Sequence, residues 1–160
     1  MIIHPIPPVF DESSRVLVLG SFPSVKSREA QFFYGHPQNR FWKVLAGVFG
    51  EEVPNTIPEK RAFLLRNHVA VWDVIHSCDI TGSSDSSIRN VTPNDIGKIL
   101  SRAPIEAIYI NGKTAGNYYD KYVKKTVGRD AVVLPSTSPA NAAWNLDRLL
   151  EAWKILRMVR

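Results

Sequence analysis

Arg15–Ser24, RVLVLGSFPS, decides the fold. Arg15–Gly20 (RVLVLG) carries a continuous apolar run rather than an alternating one, and such a run reads as a strand covered on both faces, the habit of parallel sheets. Gly20 and Pro23 break it, so a buried strand passes at once into a tight turn. Three further runs share the pattern: Val69–Trp72 (VAVW), Ile105–Ile110 (IEAIYI) and Ala131–Leu134 (AVVL). Helical stretches lie between them, at Asn39–Phe49, Pro58–Arg66, Thr92–Arg102, Thr114–Lys125 and Ala142–Met158. Thr92-Pro93 reads as an N-cap followed by proline at the first helical position. In the last stretch Leu146, Leu149, Leu150, Trp153, Leu156 and Val159 recur at three- and four-residue spacing, which predicts an amphipathic helix packed on the sheet. Strands alternating with helices predict an α/β fold, a three-layer αβα sandwich around a short, mainly parallel four-stranded sheet with right-handed crossovers.

Working outward, 160 residues fit one domain, expected over 1–160, and 44% hydrophobic with 22% charged residues is an ordinary globular composition that argues against disorder. Lys+Arg 20 against Asp+Glu 15 leaves a formal +5, which suits a polyanionic partner without requiring one. A lone Cys78 excludes an intramolecular disulfide and any metal site built from two cysteines. The start MIIHPIPPVF lacks the form of a secretory signal, and no apolar run approaches the ~18 residues a membrane span needs. The expectation is a cytoplasmic protein with no membrane contact, acting as a monomer without metal or cofactor.

In such folds ligands bind beyond the carboxyl ends of the strands, near the point where strand order reverses. The segments there are GSFPS (20–24), Trp72-Asp73 onward, Asn111-Gly112-Lys113-Thr114 and PSTSPAN (135–141). GSFPS serves a plain strand-to-helix turn as well as a binding loop. It is no nucleophile elbow, because Phe22 stands where the serine would and no second glycine closes the turn. Gly112-Lys113-Thr114 resembles the end of a phosphate-binding loop, but the upstream glycine would fall at Ala107, inside a strand. Asn111 is either a cap or an amide able to donate and accept in one plane, as reading a nucleobase edge requires. Phe32–Trp42, FFYGHPQNRFW, is the densest aromatic stretch; Phe41 and Trp42 suit a core, whereas Phe32, Phe33 and Tyr34 precede a turn and cannot all point inward from a loop. Such rings suit stacking on an unpaired base. His36 reads as a hydrogen-bonding turn residue or a proton carrier. PSTSPAN reads as the N-cap of the last helix, whose hydroxyls and N–H groups also suit a phosphate. Lys121, Lys124, Lys125 and Arg129 read as a solvated face, and Ser83 and Asp85 either serve the site or belong only to a loop.

In this order the pieces resemble the uracil-DNA glycosylase superfamily, whose two signature loops follow the first and last strands, here GSFPS and LPSTSPAN. His36–Leu45 (HPQNRFWKVL) and Ile110–Lys113 (INGK) are similar to stretches of the mismatch-specific uracil- and thymine-DNA glycosylases. The serine-containing first loop, FFYGHPQNRFW and PSTSPAN together are most similar to the hypoxanthine-DNA glycosylase branch. The chain departs from most of the superfamily in carrying Phe22 where an Asp, Asn or Glu positions the attacking water.

The resemblance implies a DNA glycosylase that extrudes a deaminated base, chiefly hypoxanthine, and hydrolyses its N-glycosidic bond to an abasic site. It implies Asn39 as the catalytic amide. Gly20, Ser21, Phe22, Tyr34 and Asn111 then hold the base, with Tyr34 stacking on it and Asn111 reading its edge. Ser24, Lys113, Ser136, Thr137, Ser138, Ala140 and Asn141 meet the DNA, whose deaminated bases make it the partner. Action on uracil or mismatched thymine, and a non-catalytic lesion-binding module, are the alternatives.

Overall fold

The computed structural model describes residues 1–159, with side chains through residue 157. In chain order the elements are β1 (Ile2–Ile3), β2 (Val16–Gly20), α1 (Val25–Ala30), α2 (Phe41–Phe49), α3 (Ile57–Arg66), β3 (Val69–Asp73), β4 (Ile75–Asp79), a 3-10 turn at Asp85–Ser87 and β5 (Arg89–Pro93). They continue with α4 (Gly97–Leu100), β6 (Ala107–Asn111), α5 (Lys113–Tyr122), α6 (Lys124–Val127), β7 (Val132–Leu134), α7 (Leu146–Trp153) and a final 3-10 segment at Lys154–Val159.

The four expected strands form one parallel sheet in the order β3-β2-β6-β7. Every residue of β2 and β3 is buried, which is the physical content of their continuous apolar runs. At the edge, Val132 and Val133 of β7 are exposed. The chain leaves β2 toward β3 and later returns across β2 to β6 and on to β7, so strand order reverses between β2 and β6. Right-handed crossovers then put α2 and α3 on one face and α5 on the other, and α7 returns to pack on α2. Gly20 pairs with Asp73 and Asn111 with Leu134, so the carboxyl ends of all four strands stand side by side.

A second, antiparallel sheet in the order β1-β4-β5 is absent from the sequence reading. Thr92-Pro93 belongs to β5 and caps no helix; the helix beyond it shrinks to α4. Asn94 explains the switch: its side-chain N–H2 donates to the carbonyls of Asp73 and Ile75, fastening the end of β5 beside β4. Phe22, Ile75, Cys78 and Ile88 form a small apolar cluster under this sheet. The last helix is shorter than 142–158: Asn145 caps α7 by accepting from the Arg148 N–H, and the helix tightens to 3-10 after Trp153. Leu149, Trp153 and Leu156 are wholly buried, while the Val159 side chain lies outside the described residues. Among the described residues no helix is long and apolar enough to cross a membrane.

Candidate active site

A cavity of about 270 Å³ opens at the strand-order reversal, lined from the first loop, the aromatic turn, the ends of β3 and β6, the β4–β5 loop and the last loop. It gathers Gly20, Ser21, Phe22, Ser24, Tyr34, Asn39, Asn111, Ser136, Thr137 and Ser138 from the expected residues. Lys113, Ala140 and Asn141 line a shallow groove on one flank instead. Asp73, Ser83, Asp85 and His36 also line the cavity.

Asn39 lies two residues before the first residue of α2, where helix N–H groups lack partners. Its Oδ1 accepts from the Phe41 N–H at 2.9 Å and from the Thr137 hydroxyl at 2.9 Å. A backbone N–H can only donate, so this oxygen is fixed as the acceptor and Nδ2 is left without a partner among the described residues. Asn111 is fixed in the same manner: Oδ1 accepts from the Thr137 N–H, and Nδ2 donates to Thr137 Oγ1, both at 3.0 Å. Thr137 therefore joins the two amides in one directed chain, from Asn111 through the threonine hydroxyl to Asn39. Its side chain is 0% exposed, so it links the two amides rather than facing a phosphate. Nothing in its sequence setting distinguishes it from Ser136 or Ser138.

The first loop is spaced by contact rather than by composition. A Cβ on Gly20 would stand 2.5 Å from Asp73 Oδ1 and 3.0 Å from the Tyr34 hydroxyl, so only glycine fits. Phe22 sits in the apolar cluster below the second sheet, with the Arg28 guanidinium 5.7 Å from its ring centre. It anchors the loop as well as lining the cavity. Ser24 caps α1, accepting from the Ser27 N–H at 3.2 Å. Phe32 and Phe33 are both buried in the core, so of the three rings not expected to point inward together only Tyr34 is left half-buried, and Phe32 stacks on Trp42. Tyr34 turns away from them through a left-handed backbone, φ 52°. One face of its ring is covered by Phe41, with centroids 3.9 Å apart, leaving the opposite face for any further stacking. The Tyr34 hydroxyl is buried, and burial, reinforced by the nearby Asp73 charge and offset in part by the Asn111 amide, holds it well above the usual tyrosine range.

The last loop is folded on itself. Ser136 Oγ accepts from the Ser138 N–H, Ser138 Oγ from the Ala140 N–H, and Asn141 Nδ2 donates to the Ser136 carbonyl. It ends well before α7, so its hydroxyls cap turns and not a helix, contrary to the N-cap reading. Arg40 holds it from outside, donating to the carbonyls of Trp144, Ser138, Asn141 and Thr137. Gly112, at φ 97°, brings the β6 turn against Ser136.

Asp73 and His4 escaped the sequence reading as site residues, and Asp85, left open there between site and loop, lines the cavity. Asp73 ends β3, is 4% exposed, and binds His4 Nε2 through Oδ2 at 2.7 Å. Asp85 reaches the cavity from the β4–β5 loop, where Ser21 Oγ donates to it at 3.4 Å. Loss of water around it, offset in part by Ser21, raises its carboxyl above the usual range. Ser83 accepts from the Val25 N–H at the start of α1. Their signal is positional: Asp73 closes a buried strand at the ligand-binding end. The basic residues Lys121, Lys124, Lys125 and Arg129 do not line the cavity, and Lys124 pairs with Asp130.

The family model of the uracil DNA glycosylase superfamily matches residues 7–157. A protein of Methanosarcina acetivorans named hypoxanthine DNA glycosylase is 34% identical over 159 residues, covering 98% of this chain and 99% of its own. One of Methanosarcina barkeri with the same name is 33% identical over 137 residues, 84% of this chain and 85% of its own. A solution NMR structure from M. acetivorans, described as a candidate uracil DNA glycosylase, matches with a TM-score of 0.84 and 33% identity over 99% of both chains.

Proposed function

The chain belongs to the uracil DNA glycosylase superfamily, and from that premise we propose that it removes hypoxanthine from DNA by hydrolysis, leaving an abasic site. The proteins of the two Methanosarcina species that share a third of its sequence carry that activity in their names. DNA containing deaminated bases is its partner, bound by a monomer.

The target base lies inside the duplex stack, so it is first extruded, at a cost of a few kcal/mol that is smaller for a mispaired base. It enters the cavity beside Tyr34 and the first-loop backbone. As the C1′–N9 bond breaks, its electron pair moves onto the base and the sugar takes oxocarbenium character. Water adds to C1′, and its proton passes to the departing hypoxanthine. A preorganised donor aimed at the base lowers this barrier, because the charge it meets develops only in the transition state.

The fixed orientation of the Asn39 amide carries the reading. With Oδ1 held by the Phe41 N–H and Thr137, Nδ2 is the atom left to act, so Asn39 serves as a donor to the leaving base rather than as an acceptor that polarises water. This role also fits Phe22, which cannot hold a water in the first loop. Among the described residues no lysine lines the cavity, which favours hydrolysis over a Schiff-base route to strand cleavage. Ser136, Ser138, Ala140, Asn141 and Lys113 meet the flanking DNA, and Ser24 shapes the first loop.

The test is a gel assay on duplexes containing hypoxanthine, uracil, xanthine or mismatched thymine. Hypoxanthine strands are expected to break after alkali and to stay intact without it. A preference for uracil or thymine would transfer the chain to that activity; no alkali-labile product from any duplex would leave a lesion-binding module.

A further inference from the structure

The loop between β4 and β5 follows none of the parallel strands, yet it is built as a wall of the cavity. Three hydrogen bonds tie it to the first loop and α1: the Arg28 guanidinium donates to the Gly82 carbonyl at 3.1 Å, the Val25 N–H to Ser83 Oγ at 2.9 Å, and Ser21 Oγ to Asp85 Oδ1 at 3.4 Å. The loop also closes on itself. The Thr81 N–H donates to Ser87 Oγ at 2.8 Å, and that hydroxyl donates to the Ser84 carbonyl at 2.6 Å. Building on the glycosylase reading above, we propose that Asp85 is a second catalytic residue, the carboxylate that accepts the hydrogen of the water attacking C1′.

Other groups lining the cavity are poorly suited to that task. Phe22 offers no acceptor from the first loop, and the Asn39 oxygen is engaged by the Phe41 N–H and Thr137. His36 Nδ1 accepts from the Gln38 N–H at 3.1 Å, so the neutral ring carries its hydrogen on Nε2 and presents a donor. The oxygens of Ser24, Ser136 and Ser138 each accept a backbone N–H within their own turns, and a serine hydroxyl is too weak a base to hold a proton. Two carboxylates remain. Asp73 is 4% exposed at the floor, with Oδ2 held by His4. Asp85 stands exposed at the mouth, makes no ion pair among the described residues, and does not use its side chain to cap the 3-10 turn it opens. Ser21 holds one of its oxygens, and the other has no hydrogen bond among the described residues.

Depth decides between the two. An extruded nucleotide leads with its base, so the base reaches the floor while C1′, still joined to the backbone, stays near the mouth. Asp85 is the carboxylate at that level. It is tied to the first loop, and Asn39 through Thr137 to the last, so the acceptor for water and the donor to the base come from different walls. Attack on the face of the sugar opposite the departing group needs that separation. Loss of water around the Asp85 carboxyl raises it above the usual range and makes it the better base. In the step, the water oxygen bonds to C1′ as the C1′–N9 bond breaks and its electron pair passes to hypoxanthine. Asp85 takes the water proton and gives it up to the departing base, which restores the carboxylate and leaves neutral hypoxanthine and an abasic sugar.

Asp85→Ala and Asp85→Asn are compared with wild type in single-turnover excision, on the deaminated-base duplex that wild type cleaves fastest, with dissociation constants measured alongside. Both variants are expected to lose about 10²-fold or more in rate, with affinity no weaker than a few fold below wild type. Sodium formate, set against sodium chloride at equal ionic strength, is expected to restore about tenfold of the Asp85→Ala rate. It should leave wild type and Asp85→Asn unchanged, because only the alanine variant opens room for a small carboxylate. Either variant within a few fold of the wild-type rate, or formate no better than chloride on Asp85→Ala, would overturn the proposal; a disturbed loop is not repaired by formate. Wild type that excises no base would overturn the glycosylase reading and this proposal with it, whereas an active wild type matched by both variants overturns the role of Asp85 alone.

Discussion

The Asn39 amide is held by two hydrogen bonds to its oxygen, and that separates two effects a substitution usually mixes. Asn39→Asp keeps an acceptor for the Phe41 N–H and Thr137 while removing the N–H2 donor. Single-turnover excision is expected to fall by about 10²–10³-fold, the loss of one preorganised donor, with lesion affinity kept within a few fold. Wild-type rates from Asn39→Asp would instead mean that the oxygen does the work. Gly20→Ala is a steric counterpart. Its methyl would meet Asp73 Oδ1 at 2.5 Å, so the floor must shift, hypoxanthine turnover is expected to drop, and thermal melting is expected to fall by several degrees, the overpacking costing about 1–3 kcal/mol. The resemblance singled out Asn39, and the aromatic run drew attention to Tyr34; the fold brings both to the cavity. His4 and Asp73 were not legible in the sequence: a strand-end aspartate and an N-terminal histidine become a pair only when β3 and the first segment are folded together.

At the level of elements, the last loop depends on Arg40 more than on the helix it was expected to open. The guanidinium donates to four carbonyls of the 137–144 segment, a fork that lysine cannot reproduce. Arg40→Ala leaves those carbonyls without it. The expected cost is about 3 kcal/mol, from hydrogen bonds to a charged group, or roughly 6–12 °C in Tm by calorimetry. A drop under 2 °C, on the same rough scale, would show that the serine turns hold the loop alone. The parallel strands were legible because full burial writes a continuous apolar run, as in β2 and β3. The antiparallel sheet was not. Its short strands alternate poorly around shifts of register, and β5 is largely exposed, so Thr92-Pro93 carries a helix-start pattern that the Asn94 side chain overrides.

For the molecule as a whole, the sign of the charge matters less than its distribution. Of the formal +5, Arg40 and Arg28 face inward onto carbonyls, while Asp73 and Asp85 place negative charge in the cavity. That arrangement keeps phosphates out of the base site and leaves the rim to hold them. Two grooves flank the cavity, one carrying exposed Lys113 with Ser136 and Asn141, the other exposed Lys43 with His36 and Asn39. A phosphate bound at either lysine releases a counterion, so affinity must fall with salt in proportion to the number of such contacts. Lys113→Ala and Lys43→Ala are each expected to reduce the slope of log K against log salt by about 1, equally for lesion and undamaged duplexes. Asp73→Asn is expected to leave that slope unchanged, because Asp73 lines the cavity and neither lysine-bearing groove. Anisotropy titrations at several salt concentrations decide the matter: a slope that moves with Asp73 but not with the lysines would place the phosphates inside the cavity and reverse this division of labour.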